Sequence, residues 1–215
     1  MDYIKDYDGL YKNLKSLTNK QISFIVKPAL FIACLVPFLL LALGAINDDL
    51  GVNPVETLTH ETGQWALRFL LLTLFVTPLR RLTKVQWLIK LRRMLGLYAF
   101  FYAVLHFITY IWLDQFFDWL EILSDIPKRP FITVGFASLL LLLPLAFTST
   151  KKMQRRLKKK WVSLHKLVYV IPMLVVLHFI WSLKVDYYEP MIYTIVFLGL
   201  MLIRLFHDKK KASGN

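Results

Sequence analysis

One cysteine, Cys34, is all the chain has, so no disulfide can form within it. It lies in the apolar run LFIACLVPFLLLALGAI, where a small buried hydrophobe is its expected role. Charge is scarce too, at 19% of residues. The longest polar stretch is the first, residues 1–23, and it mixes both signs. No cleavable signal peptide is expected, because the first apolar segment follows it and is long enough to stay in a bilayer. GxGxxG, GxxxxGK[ST], CxxC and HExxH are all missing. With so little polar chain, there is no room for a nicotinamide or flavin domain of the usual kind. Neither an internal repeat nor a low-complexity linker is expected.

What is abundant is apolar residues, 57% of the chain, with a mean hydropathy of +0.51. Apolar runs of about 18 residues recur, the length needed to cross a bilayer. The expected fold class is all-α: a polytopic membrane helix bundle forming one domain. A formal net charge of +13 could indicate nucleic acid. Here the cations fall in short blocks between apolar segments, the pattern of the positive-inside rule, so no nucleic acid is expected.

Six spans are predicted, at residues 24–46, 64–79, 94–113, 131–148, 162–183 and 191–206. Pro28 and Pro37 interrupt the first, which neighbouring helices can tolerate. The second is short, and its helix is expected to start earlier, near Pro54. The acidic, aromatic stretch DQFFDWLEILSDIPKRP reads as an amphipathic piece at the interface. The segments 1–23, 80–93, 151–160 and 204–215 hold 21 Lys and Arg, against three in the intervening connections. Both termini are therefore expected in the cytoplasm. The expected division is a cytoplasmic segment 1–23, a six-helix membrane domain 24–206 and a cytoplasmic tail 207–215.

Ionisable side chains inside spans are costly and raise a functional hypothesis. His106, His165 and His178 lie inside spans. His106 is 13 residues past Arg93, and His178 is 18 past Lys160, the end of its own basic block. Both spans run outward, so these two share a depth near the outer leaflet. Two histidines facing across helices suit axial ligation of haem iron. His165 lies about 20 Å below His178, at the height of a second, inner haem. On an ideal helix those two side chains point about 140° apart. Pro172 between them can change the phase. By spacing, the inner site's partner is residue 93, an arginine, which is a poor iron ligand. Either an inner haem has one protein ligand, or the basic end of that helix neutralises propionates, or there is no inner haem. Arg68 is a candidate propionate partner, with snorkelling as its plain alternative. Gly96 and Gly135 could admit a flat macrocycle or simply pack helices. His60 and His207 are expected on the surface. The basic block 151–160 could dock an acidic electron donor.

The strings LVPFLLLALGAIN, GQWALRFLLLTLFVTPLRRL, LRRMLGLYAFFYAVLHFITY, LAFTSTKKMQRRLKKKWVSLHKLVYV and LHFIWSLKV resemble the MsrQ (YedZ) family. That family is similar to the membrane domains of ferric reductases and NADPH oxidases. The resemblance implies a six-helix, haem b-binding electron-transfer subunit of the bacterial inner membrane, with one or two haems, rather than a catalytic subunit. It implies electrons taken from a cytoplasmic flavin reductase or the quinone pool. They would be passed to MsrP, a periplasmic molybdopterin enzyme that reduces methionine sulfoxide. It implies FMN as a further cofactor, and it carries haem ligation onto His106, His165 and His178, with Arg93 where the wider pattern has a fourth histidine. Two other functions fit the composition: a ferric-chelate or quinone reductase using the same haem, and a proton-coupled transporter using the intramembrane histidines.

Overall fold

The computed structural model describes residues 17–183 and 187–213, with side chains through residue 206. Expectations for residues 1–16, for the turn at 184–186 and for the side chains of the tail, His207 included, lie outside the described residues. Every element among the described residues is helical.

Helix α1 spans Asn19–Ile46. Thr18 and Gln21 cap it reciprocally. Pro28 has no N–H to return to the turn before it, and that turn widens into a π turn, Ile22–Val26. Pro37 is passed without a break. Helix α2, Pro54–Thr83, begins where the proline suggested, with the Asn53 side chain accepting from the Glu56 N–H at 3.3 Å. Lys84, left-handed at φ 57°, ends it. Helix α3, Gln86–Asp114, starts as a 3-10 turn and ends as a π turn. A short helix α4, Trp119–Lys128, follows. It leaves Leu120 and Leu123 exposed while burying Ile122 and Asp125, and the Asp125 carboxylate is paired with Arg129 at 3.3 Å. Then come α5, Pro130–Phe147, basic α6, Lys151–Leu157, α7, Lys159–Ser182, and α8, Tyr188–Ser213.

Five helices are long and apolar enough to cross a membrane: α1, α3, α5, α7 and residues 188–206 of α8. Helix α2 is not among them, and its position explains why. It is the central helix, burying Thr62, Gln64, Thr73 and Thr77 together with Leu67, Phe69, Leu70 and Leu74. A helix covered by other helices can keep polar groups that a lipid-facing one cannot.

The bundle is assembled as hairpins: α2 lies along α3, and α5 along α7. Tyr98 and Tyr102, one turn apart on α3, stitch α1 to the first hairpin. The Tyr98 hydroxyl donates to Phe31 O at 2.8 Å. The fully buried Tyr102 hydroxyl accepts from the Phe38 N–H and donates to Cys34 O, each at 2.9 Å. Those two groups are i+4 and i partners in a regular helix, so the Tyr102 hydroxyl spans one rung of the α1 backbone ladder beside Pro37. Cys34 itself is free and buried. Tyr102 also stacks on Phe69 of α2, ring centres 5.3 Å apart.

Candidate functional site

His106 of α3 and His178 of α7 face each other with ring centres 6.0 Å apart and planes crossing at 79°. Each is oriented by the neighbouring helix of its own hairpin. His106 Nδ1 lies 2.8 Å from Thr59 O on α2. His178 Nδ1 lies 2.7 Å from Phe131 O on α5. A carbonyl only accepts, so both Nδ1 atoms carry the proton and both Nε2 atoms keep a lone pair. A metal–imidazole bond is about 2 Å and a ring nitrogen lies about 1 Å from the ring centre, so two imidazoles on opposite sides of one iron have centres about 6 Å apart. The observed separation fits that arrangement.

The two rings approach their helices over glycines. A Cβ on Gly63 of α2 would lie 3.0 Å from His106 Nδ1, and one on Gly135 of α5 would lie 2.7 Å from His178 Nδ1. Thr59 and Phe131, Gly63 and Gly135, His106 and His178 are three pairs with one common offset, 72 residues. The string VLHFI occurs at 104–108 and again at 176–180, at that same offset. The expectation of no internal repeat is therefore corrected: the hairpins α2–α3 and α5–α7 repeat one histidine arrangement. That string was the signal available in the sequence. Gly63 escapes a reading by hydropathy because it falls just before the apolar run.

His165 is placed differently. Its ring stacks on Trp161 at 3.9 Å, with Nδ1 3.1 Å from Trp161 O of its own helix. No matching glycine cradle occurs here. A Cβ on Gly96 would meet only Thr73, at an ordinary 3.8 Å. The phase difference from His178 is reduced by a 3-10 stretch, His165–Tyr169. Each residue there turns about 120° instead of 100°, so five of them bring the 140° offset to about 40°. Buried Pro172 is the cause, since it has no N–H for Val168 O one turn back.

Arg68 of α2 sits in a polar network. Its Nε donates to the Tyr193 hydroxyl of α8 at 2.8 Å. Its Nη2 donates to Gln64, which in turn donates to Glu189 of α8. Glu61 is 3.6 Å from Nη1, and the guanidinium lies 4.6 Å from the Trp65 ring centre. Buried Thr59 Oγ1, beside the His106 carbonyl contact, has no partner. His60 is exposed, as expected.

Among the described residues no three His, Cys, Asp or Glu side chains converge on a metal position. Two imidazoles are thus what the protein offers an ion between α3 and α7, and the remaining ligands would have to come from a macrocycle. Ring centres 6.0 Å apart, each Nδ1 occupied by a helix carbonyl and each ring set over a glycine, fit haem.

Residues 62–188 match the family model described as ferric reductase like transmembrane component. The chain is 53% identical over 194 residues to the protein-methionine-sulfoxide reductase heme-binding subunit MsrQ of Herminiimonas arsenicoxydans, covering 89% of each chain. It is 51% identical to the subunit of that name in Azospira oryzae, covering 86% of this chain and 79% of the relative. For the Rhodospirillum rubrum subunit the identity is 50%, covering 81% and 84%. No solved structure matches.

Proposed function

Because the chain belongs to the MsrQ family of haem-binding subunits, within the ferric-reductase-like membrane proteins, we propose that it carries electrons across the bacterial inner membrane to a periplasmic molybdopterin reductase, MsrP. MsrP would spend them on methionine sulfoxide in oxidised proteins. The observation that carries this reading is the facing pair His106 and His178, 6.0 Å between ring centres, with each Nδ1 occupied.

In this reading haem b supplies a one-electron ferric/ferrous couple. His106 and His178 would hold the haem through their Nε2 atoms, toward the outer leaflet. Thr59 O and Phe131 O hold their Nδ1 protons. His165 serves an inner haem, and Arg68 and Arg93 are the candidate partners for propionates. Arg68 would do so as part of the Gln64–Glu189–Tyr193 network it already joins. FMN is taken over from the family, without residues assigned to it. The haem domain is residues 24–206, crossing the membrane six times through α1, α2, α3, α5, α7 and α8. The segments 1–23 and 207–215 flank it in the cytoplasm, where the basic blocks lie, and a cytoplasmic flavin reductase or the quinone pool of the membrane delivers electrons.

An absorption spectrum with pyridine haemochrome quantitation tests the reading. A red protein with a Soret band that shifts on reduction is expected, and His106→Ala or His178→Ala should remove the outer haem. His165→Ala should leave that haem in place. A colourless protein, or a full haem spectrum in both outer-site variants, would overturn the assignment. Reoxidation of the reduced haem only when MsrP and a sulfoxide are both present would identify the acceptor.

A further inference from the structure

We propose that Gly63 and Gly135 are positioning residues for the outer haem: each leaves bare the one helix carbonyl that orients an axial histidine. The inference rests on the ligand reading above and adds residues that reading does not contain.

In a helix, the carbonyl of residue i accepts from the N–H of residue i+4. Thr59 O therefore belongs to Gly63, and Phe131 O to Gly135. A carbonyl has a second lone pair, and His106 and His178 use it. The Cβ of residue i+4 points back toward the helix N-terminus, over that carbonyl. A hydroxyl at the end of a long side chain can still reach such a carbonyl, but an imidazole held against it meets the Cβ itself, and glycine leaves room for the ring.

The distances grade the effect. A Cβ on Gly135 would meet His178 Nδ1 at 2.7 Å and Cε1 at 2.8 Å, so the ring or the helix must move. On Gly63 the contacts with His106 are 3.0 and 3.1 Å, which a shift of a few tenths of an ångström relieves. Neither ring can move freely. Each is held at Nδ1 by the carbonyl and, with haem bound, at Nε2 by the iron. Other glycines serve as controls: Gly199 has nothing near its Cβ position, and Gly96 has only Thr73 at 3.8 Å. That the same device occurs in both hairpins, at the same offset from its histidine, argues against coincidence of packing.

The test compares wild type with Gly135→Ala, Gly63→Ala, Gly96→Ala and Gly199→Ala, purified whole in detergent. Haem content, the low-spin signal of the ferric form and carbon monoxide binding to the ferrous form are read on each. Two firmly held imidazoles leave iron no open position, so wild type and the two controls should not bind carbon monoxide at the outer haem. Gly135→Ala should bind it and lose most of the low-spin signal. Gly63→Ala should fall between, with a shifted low-spin signal and haem retained. If Gly135→Ala does not accumulate, Gly63→Ala decides. A low-spin signal and carbon monoxide response matching wild type in the accumulating variant overturns the proposal while leaving the ligand assignment standing. Haem that survives His106→Ala and His178→Ala overturns the assignment, and this proposal with it.

Discussion

Tyr102 Oη accepts from Phe38 N–H and donates to Cys34 O at 2.9 Å each, and removing the hydroxyl takes both bonds away. Tyr102→Phe should therefore cost about 1–2 kcal/mol, read as a lower unfolding midpoint in detergent, with the haem spectrum unchanged. Equal stability would mean that α1 closes its own ladder. At this scale the sequence was legible where residues are chemically unusual for their surroundings. A histidine in a span is costly enough to stand out, and depth alone paired His106 with His178. Glycine gives no such signal. Gly135 was visible only as a choice between macrocycle and packing, and Gly63, in the third turn of α2, precedes the apolar run and carried no signal. Arg68 was visible as a cation within a span, but Tyr193, and Glu189 reached through Gln64, lie on α8, beyond the reach of local pattern.

Among the elements, α7 shows how one residue resets a helix. Pro172 was expected to alter the phase between His165 and His178, and it does so by tightening the turn before it, His165–Tyr169, into a 3-10 stretch. Pro172→Ala restores the missing donor for Val168 O and favours a regular α-helix. His165 should then rotate by about 100° relative to His178. The expected outcome is an intact outer-haem spectrum and loss of any absorbance that also disappears in His165→Ala. If both variants differ, the 3-10 stretch does not set the inner site. Helix α2 marks the opposite case. Its start at Pro54 was legible from cap chemistry, since Asn53, Pro54 and Glu56 form a local signal. Its central place was not legible, because burial by other helices removes the need for the continuous apolar run that hydropathy detects.

For the molecule as a whole, the distribution of cations gives the sharpest expectation. The four basic segments hold 21 Lys and Arg and the other connections three, a bias that orients the chain during insertion. A fluorescent protein fused at the C-terminus should fluoresce, and alkaline phosphatase fused there should be inactive. The reverse pair of results would invert the topology and put His106 and His178 toward the cytoplasm. The all-helical bundle was legible from composition. Its division into two like hairpins was not, because helix-facing positions repeat while lipid-facing ones drift freely, leaving VLHFI as the one conspicuous trace.

The shared offset of 72 residues has a consequence for assembly. Each hairpin brings its own histidine, its own orienting carbonyl and its own glycine, so neither needs the other to prepare its half of the site. The connection between them, where Phe116 and Phe117 take left-handed φ of 45° and 62°, then acts mainly as a tether that raises the effective concentration of one half for the other. A gene split at that connection, with residues 1–116 and 117–215 made as separate polypeptides, should reconstitute the outer-haem spectrum when both are present in one membrane. Either fragment alone carries one imidazole of the pair and should not.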